Sequence, residues 1–345
     1  MSQDQVSVPP AAPKGPLLTD SFGRTMTYLR LSVTDRCDLR CVYCMAEHMR
    51  FVSHRDLLTL EELYRLSAVF MRHGVRKIRI TGGEPLARKN VMCLFEMLSN
   101  HIGTGELGEL VLTTNGTQLP RFAGKLREFG VRRINVSLDS LDPDRYRTLT
   151  RGGDVRKALS GLEAAQEAGL KIKLNSVAMR GEFEQEVDHL IEFAHSRGMD
   201  LTLIEEMPLG DVHHDRAKSF LSLQKVRSDL ERRWTLSPLE DKTGGPARYV
   251  RVEETGGRLG FITPLSCDFC AGCNRLRVSC TGELFTCLGK DSSVSLREAL
   301  RGSSGDELVE AEIFDAIARK PECHNLSVAT ETVSGIGRHM SVLGG

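Results

Sequence analysis

From Tyr28 to Met207 the chain alternates two kinds of hydrophobic pattern. YLRLSV, KIRIT, ELVLTT, RINVSL, KIKLNSVAM and LTLIEEM are short apolar runs, several with apolar residues at every second position, and predict β-strands. Between them LEELYRLSAVFMRHG, VMCLFEML, KLREFG, VRKALSGLEAAQEAG and EVDHLIEFAHSRG are amphipathic at helical spacing. Several of these helices run into a glycine (Gly74, Gly130, Gly169, Gly198), the residue that most readily takes the left-handed turn at a helix end. Repeated β–α units of this length predict an α/β fold with a parallel sheet. About six of them within about 180 residues favour an incomplete (β/α)6 TIM-type barrel over a closed eight-fold one.

The two ends read differently. Residues 1–18 carry four prolines and no periodicity, so they are expected to be a disordered arm that buries too little surface to offset its ordering entropy. The barrel is expected over 19–210, and 211–345 forms a C-terminal β-rich extension. That extension contains a polar loop (PLGDVHHDRAKS), a helix around Leu221 to Arg233, a Gly-rich hairpin region ending at GRLGFIT, and the turn TGEL between two short strands. A chain of 345 residues suits one large barrel with such an appendage.

Composition narrows the partners. With 46 basic and 46 acidic residues the net charge is zero, so no whole-surface attraction to nucleic acid or anionic membrane is implied and any anion site is local. No apolar stretch approaches the roughly 18 residues of a membrane span, and no secretory leader is read, so the chain is expected to be cytoplasmic. Ten cysteines in a reducing compartment argue for metal or redox chemistry. They cluster at 37–44 and 267–287, while Cys93 and Cys323 stand apart as ordinary thiols.

The chemical motifs fall at the C-terminal ends of the expected strands, where barrel enzymes build their sites. Cys37, Cys41 and Cys44, in CDLRCVYC, follow the first strand. Three thiolates holding a four-iron cube leave one iron open to a small molecule, whereas closed structural zinc sites use four ligands. A zinc knuckle or a buried Cys-rich loop is the alternative. TGGEP (Thr81 to Pro85) follows strand two, TTNG (Thr113 to Gly116) strand three, and NVSLD (Asn135 to Asp139) lies at strand four. Lys173 and Asn175 lie on strand five, and Glu205, Glu206 and Met207 follow strand six. Each alone is a plain turn, cap or strand charge; their shared end of the sheet makes them a candidate site. His213 and His214 are expected to be solvated. A second group, CDFCAGCNRLRVSCTGELFTC, supplies Cys267, Cys270, Cys273, Cys280 and Cys287, and zinc remains a serious structural alternative there. The tail ends in Gly344-Gly345, which has no side chains to keep it out of a narrow site.

CxxxCxxC followed by TGGEP resembles the radical S-adenosylmethionine enzymes. LRLSVTDRCDLRCVYCM, IRITGGEPL, LTTNG and RRINVSLD, together with NR after Cys273, the Cys273–Cys287 spacing and the terminal Gly-Gly, narrow the resemblance to the GTP 3′,8-cyclase family of molybdenum cofactor biosynthesis. It covers residues 22–345. The resemblance implies two [4Fe-4S] clusters, one on Cys37, Cys41 and Cys44 and one on Cys270, Cys273 and Cys287. It implies S-adenosylmethionine contacts at Tyr43, Gly83, Ser137 and Met207, and GTP contacts at Arg30, Arg79, Thr113 and Lys173. Arg275, Leu276 (through its backbone) and Arg277 complete the substrate set, and Gly344 and Gly345 are implied to assist catalysis. It also implies an electron donor such as flavodoxin or ferredoxin and product hand-off to cyclic pyranopterin monophosphate synthase, and it allows a homodimer.

Two departures stand out. Many family members carry an arginine near the start of strand six, where this chain has Thr202, and Cys267 and Cys280 are assigned as spectators. A peptide-modifying radical enzyme with an auxiliary cluster keeps the first cysteine group but lacks a use for the basic set. A non-catalytic module would instead hold zinc at both cysteine groups on a structural barrel.

Overall fold

The computed structural model describes residues 9–181, 183–210, 212, 216–240, 244–265, 270–324, 326 and 337–344. Six parallel strands follow one another in chain order: β1 (Tyr28–Ser32), β2 (Lys77–Thr81), β3 (Glu109–Thr114), β4 (Arg133–Ser137), β5 (Lys171–Ala178) and β6 (Asp200–Glu205). The helices between them are α1 (Leu60–Arg72), α2 (Val91–Gly103), α3 (Leu119–Glu128), α4 (Pro143–Leu149), α5 (Val155–Glu167) and α6 (Phe183–Ser196). The alternation read from the sequence is therefore the α/β architecture observed. Helix α4 carries no long periodic signal. Its start is set by Asp142, whose carboxylate accepts from the backbone N–H groups of Asp144 and Arg145, with Pro143 in the first turn.

Strand alternation gives the sheet two chemically different faces. Leu29 and Leu31, Ile78 and Ile80, Leu110 and Leu112, and Ile134 and Val136 are buried under the helices. Helix α1 shows how that layer is locked. Thr59 and Glu62 form a reciprocal capping box at its start, and Leu63, Leu66 and Phe70 are fully buried on its inner side. Each such burial contributes on the order of 2 kcal/mol, so the apolar face is what holds the sheet together. The opposite face carries Arg30, Arg79, Thr113, Asn135 and Lys173.

The C-terminal third is not a separate layer. It comprises α7 (Arg216–Ser219), α8 (Leu223–Leu230), β7 (Leu236–Leu239), β8 (Arg248–Val252), β9 (Gly257–Ile262), β10 (Arg275–Val278), β11 (Glu283–Phe285), β12 (Val294–Ser295), α9 (Leu296–Gly302), α10 (Glu307–Ala318) and α11 (Met340–Leu343). The expected hairpins are β8–β9 and β10–β11. Strand β9 pairs in parallel with β6, and β10 pairs in parallel with β1, giving one sheet in the order β12-β11-β10-β1-β2-β3-β4-β5-β6-β9-β8-β7. The appendage thus extends both edges of the central sheet.

The expected disordered arm is corrected for residues 9–18. The N–H of Ala11 donates to the Gly105 carbonyl, those of Lys14 and Gly15 to the Arg72 carbonyl, and Leu18 is fully buried. Ala11, Lys14 and Gly15 satisfy their N–H groups on existing carbonyls, and the prolines among them have none to satisfy, so no periodicity is needed. Residues 1–8 lie outside the described residues.

Helix α6 is tied to the β8–β9 hairpin by His195, whose Nε2 donates to the Arg258 carbonyl at 3.1 Å. Nδ1 therefore carries the lone pair and accepts from the Thr255 hydroxyl at 2.6 Å. Burial lowers the His195 pKa below its ordinary 6.5. Below about pH 6.5 the unfolded chain takes up a proton that the folded imidazole refuses, so this contribution is present above that pH and is lost on acidification. The urea midpoint of the native protein should fall more steeply between about pH 7 and 5.5 than that of His195→Gln.

Candidate active site

Across β10, β1 and β2 the inner face is a grid of charge. The strand register sets Arg275, Tyr28 and Lys77 side by side in one row and Arg277, Arg30 and Arg79 in the next. Arg79 donates from Nη1 to the Thr113 hydroxyl at 2.9 Å and from Nε to the Tyr28 phenol oxygen. Lys77 is paired with Glu109 at 2.6 Å. On the facing strands Lys173 is buried, its Nζ 3.1 Å from the hydroxyl of Tyr249 on β8. Burial, then the nearby Arg79 and Arg133, pull the Lys173 ammonium down to about 7. Burial lowers Arg30 to about 10, and burial together with Arg30 and Arg275 holds Arg277 well below its ordinary value. Burial and the crowding of like charge both disfavour the protonated forms.

These side chains enclose a chamber of about 110 Å³ that Asn135 and Asn175 also line. The Oδ1 atoms of both asparagines are buried without a hydrogen-bond partner, so the chamber wall presents polar atoms awaiting a ligand. The segment Gly245–Ala247 and Arg275 also border an open groove of about 1230 Å³. The inner chamber is below the roughly 300–1,000 Å³ of ordinary ligand sites. Part of the reason is the C-terminal segment. Met340 lines the chamber, and the Gly344 carbonyl accepts from Arg30 Nη2 at 3.1 Å and Arg277 Nη1 at 2.8 Å. Gly345 lies outside the described residues.

Beyond the C-terminal end of β1, Cys37, Cys41 and Cys44 share one loop, tightened where the N–H groups of Cys44 and Met45 both bond the Cys41 carbonyl. Burial pushes the Cys37 and Cys44 thiols up to about 12 and holds Cys41 well above its ordinary value, with the charge of Asp139 adding to Cys41 and Cys44. The Tyr43 hydroxyl donates to Asp139 at 2.6 Å. Gly83 presses against this loop so closely that a Cβ there would lie 2.4 Å from the Arg36 carbonyl oxygen. Glu84, its carboxyl raised to about 7 by burial, accepts from the N–H groups of Leu86 and Asn115 and from the Thr114 hydroxyl. It thereby ties the TGGEP turn to the TTNG turn. Ser137 ends β4 beside Asn175, and Met207 lines the chamber.

The second cysteine group lies at the other end of β1. Cys270, in the turn Cys270–Gly272, and Cys273 precede β10, and Cys287 follows β11. The Cys270 carbonyl accepts from Arg24 at 2.9 Å, and Arg24 is held by buried Asp20 at 2.6 Å. Buried Lys320 lies 3.7 Å from Cys273 Sγ. Burial raises the Cys273 thiol, but the charges of Arg275 and Lys320 outweigh it and the net shift is downward. Leu276 is buried on the apolar face, so only its backbone is available to the site. Cys280 is buried near Asp35 and Arg88, and burial pushes it to about 12. Cys267, His213 and His214 lie outside the described residues. Among the described residues no three His, Cys, Asp or Glu converge as around a single ion. The two groups thus lie beyond opposite ends of β1, itself about 13 Å long over its four strand steps, and the cation grid lies along that length.

A family model described as Radical SAM superfamily matches residues 31–194, and one described as Molybdenum Cofactor Synthesis C matches 199–326. A protein of Brucella abortus (strain S19) named GTP 3′,8-cyclase is 54% identical over 344 residues, covering 99% of each chain. One of the same name from Rhizobium etli (strain CIAT 652) is 56% identical over 338 residues, 98% of this chain and 97% of that one. The chain belongs to the GTP 3′,8-cyclase family.

Among solved structures, Streptococcus suis SuiB bound to S-adenosylmethionine superposes with a TM-score of 0.59 at 15% identity, over 86% of this chain and 69% of that one. Native anSMEcpe with bound AdoMet gives 0.58 at 16%, over 84% and 82%. Both likenesses speak to the fold. Thr202, on β6, stands close to this site. It is fully buried with Oγ1 unpartnered, beside Gly260, whose added Cβ would sit 2.8 Å from the Tyr249 ring. Tyr249 occupies that corner and bonds Lys173.

Sequence reading passed over Tyr28, Lys77, Tyr249, Arg24 and Lys320. For Tyr28 and Lys77 a signal existed, since each stands two residues before a chosen arginine and so shares its face. Gly344 lies at φ +75°, and a Cβ there would meet Thr81 Oγ1 at 2.0 Å. Gly344→Ala should expel the tail from Arg30 and Arg277, which hydrogen exchange would report as faster exchange across residues 340–344.

Proposed function

We propose that the protein converts GTP to (8S)-3′,8-cyclo-7,8-dihydroguanosine 5′-triphosphate in the first step of molybdenum cofactor biosynthesis, joining C3′ of the ribose to C8 of guanine. The observation that carries this reading is the buried cation grid lying between two groups of three thiols. In a dry chamber, arginine forks and lysine point charges from separate strands pair with a triphosphate far more strongly than in water.

In this reading Cys37, Cys41 and Cys44 hold one [4Fe-4S] cluster and Cys270, Cys273 and Cys287 the other, each with one iron left without a protein ligand. The three thiols of the first loop, the Gly83 backbone pressed onto it and the partnerless asparagine oxygens fit a polar cofactor and substrate. When bound beside the first cysteine group, S-adenosylmethionine would supply one-electron radical chemistry directed at the C3′ hydrogen. Tyr43, Gly83, Ser137 and Met207 orient that cofactor. Arg30, Arg79, Thr113, Lys173, Arg275, the Leu276 backbone and Arg277 hold the nucleotide so that C3′ faces the first site and the base the second. Gly344 and Gly345 assist from the tail, and the chamber excludes water and quenchers. The reaction draws electrons from a flavodoxin- or ferredoxin-type donor in the cytoplasm and delivers product to cyclic pyranopterin monophosphate synthase.

A peptide substrate is disfavoured by the same grid, which offers a peptide backbone nothing to neutralise so many cations. Anaerobic incubation of the reconstituted protein with GTP, S-adenosylmethionine and a reductant should give 5′-deoxyadenosine and a cyclised nucleotide by mass spectrometry. 5′-Deoxyadenosine without the cyclised nucleotide would remove the GTP assignment. Cys44→Ala should lose both products, while Arg275→Ala should retain uncoupled 5′-deoxyadenosine release and lose at least tenfold in nucleotide turnover, as about 1.4 kcal/mol or more of substrate binding disappears.

A further inference from the structure

Five of the six side chains in the two-row grid are cations; the sixth, at the centre of the lower row, is Tyr28. Its neighbours at the same level are Arg275 and Lys77, and those one level up are Arg277, Arg30 and Arg79. Its Oη accepts from Arg79 Nε, and the Lys77 ammonium lies 5.1 Å from its ring centroid. It is buried and lines the chamber. Farther across, Lys173 on β5 adds positive charge, and the carboxylate Glu109 on β3 is engaged by Lys77 and Arg133. Tyr28 is the one side chain of the six that becomes an anion on losing a proton.

We propose that Tyr28 is a positioning residue whose phenol oxygen serves as a built-in counter-group to the cation grid, and that it takes up a proton from solvent when a polyphosphate enters. The argument rests on the reading of the grid as a triphosphate site. Burial raises the phenol, but Arg79, Arg30 and Lys77 outweigh it and bring Tyr28 down to about 7 from 10. The empty grid therefore carries a phenolate near neutral pH that keeps the arginines aimed inward. Once phosphate oxygens neutralise those arginines, the stabilisation of the phenolate is gone, and the oxygen, now beside an anion, protonates. No covalent bond to the protein forms or breaks beyond that O–H. Lys173, itself near neutral, gains a proton in the same direction, so the two contributions must be separated.

The test is titration of inorganic tripolyphosphate into the reconstituted full-length protein at about pH 8, in buffers of different ionisation enthalpy, with ultraviolet difference spectra of native protein against Tyr28→Phe. The native protein should show phenolate absorbance absent from Tyr28→Phe, and this absorbance should vanish on saturation with tripolyphosphate. Proton uptake per ligand bound should drop by about one in Tyr28→Phe, leaving the Lys173 share. Absence of the phenolate band in the ligand-free native protein, or its persistence at saturation, overturns the proposal. Loss of the band with tripolyphosphate in a protein that never cyclises GTP would keep Tyr28 in its role and remove the GTP assignment instead.

Discussion

Like charges held side by side are the constraint on which the rest of this molecule turns. Arg277, Arg30 and Arg79 stand at one register level on three adjacent strands about 4.8 Å apart. Neighbouring guanidinium groups brought together in this way repel one another, the more so in a buried chamber. The sheet tolerates this because its binding energy comes from the opposite face, where Leu29, Leu31, Ile78 and Ile80 are sealed beneath helices. The repulsion is moderated from within by the Thr113 hydroxyl, the Tyr28 oxygen and the Gly344 carbonyl. Apolar packing thus supplies the rigidity that holds clustered positive charge on the inner face.

The C-terminal segment links the two ends of the chamber. Its Ser341 N–H reaches the Cys44 thiol, while three residues later Gly344 caps two arginines of the grid. One short helix therefore touches the first cysteine loop and the anion-binding wall together. Whatever displaces the tail from the arginines also alters the surroundings of Cys44, so the occupancy of the grid and the environment of the first loop are mechanically joined.

Much of this was legible because it is periodic. Strand alternation fixes which side of KIRIT faces inward, so Arg79 could be placed in the chamber before any coordinates, and the same rule applied to YLRLS brings in Tyr28. CDLRCVYC and TGGEP are local motifs that carry their own loop geometry. What escaped is non-local. Nothing in RLRV distinguishes a hairpin in an appendage from a strand completing the edge of β1, because both bury Leu276 and Val278 equally well. Lys320 reaches Cys273 only through the packing that follows α10, and the contact leaves no trace in spacing. The proline-rich stretch before Leu18 was misread because irregular backbone can dock on carbonyls with no repeating pattern to announce it.

Asn274 and Thr27, which bond through their side chains beside the β1–β10 junction, are 247 residues apart in the chain. During synthesis at the ribosome, the first strand to emerge must wait with one side unpaired until nearly the whole polypeptide has been made. Such an exposed strand margin invites pairing with other chains. A nascent fragment ending before β10 would be both sticky and unable to complete the cation grid.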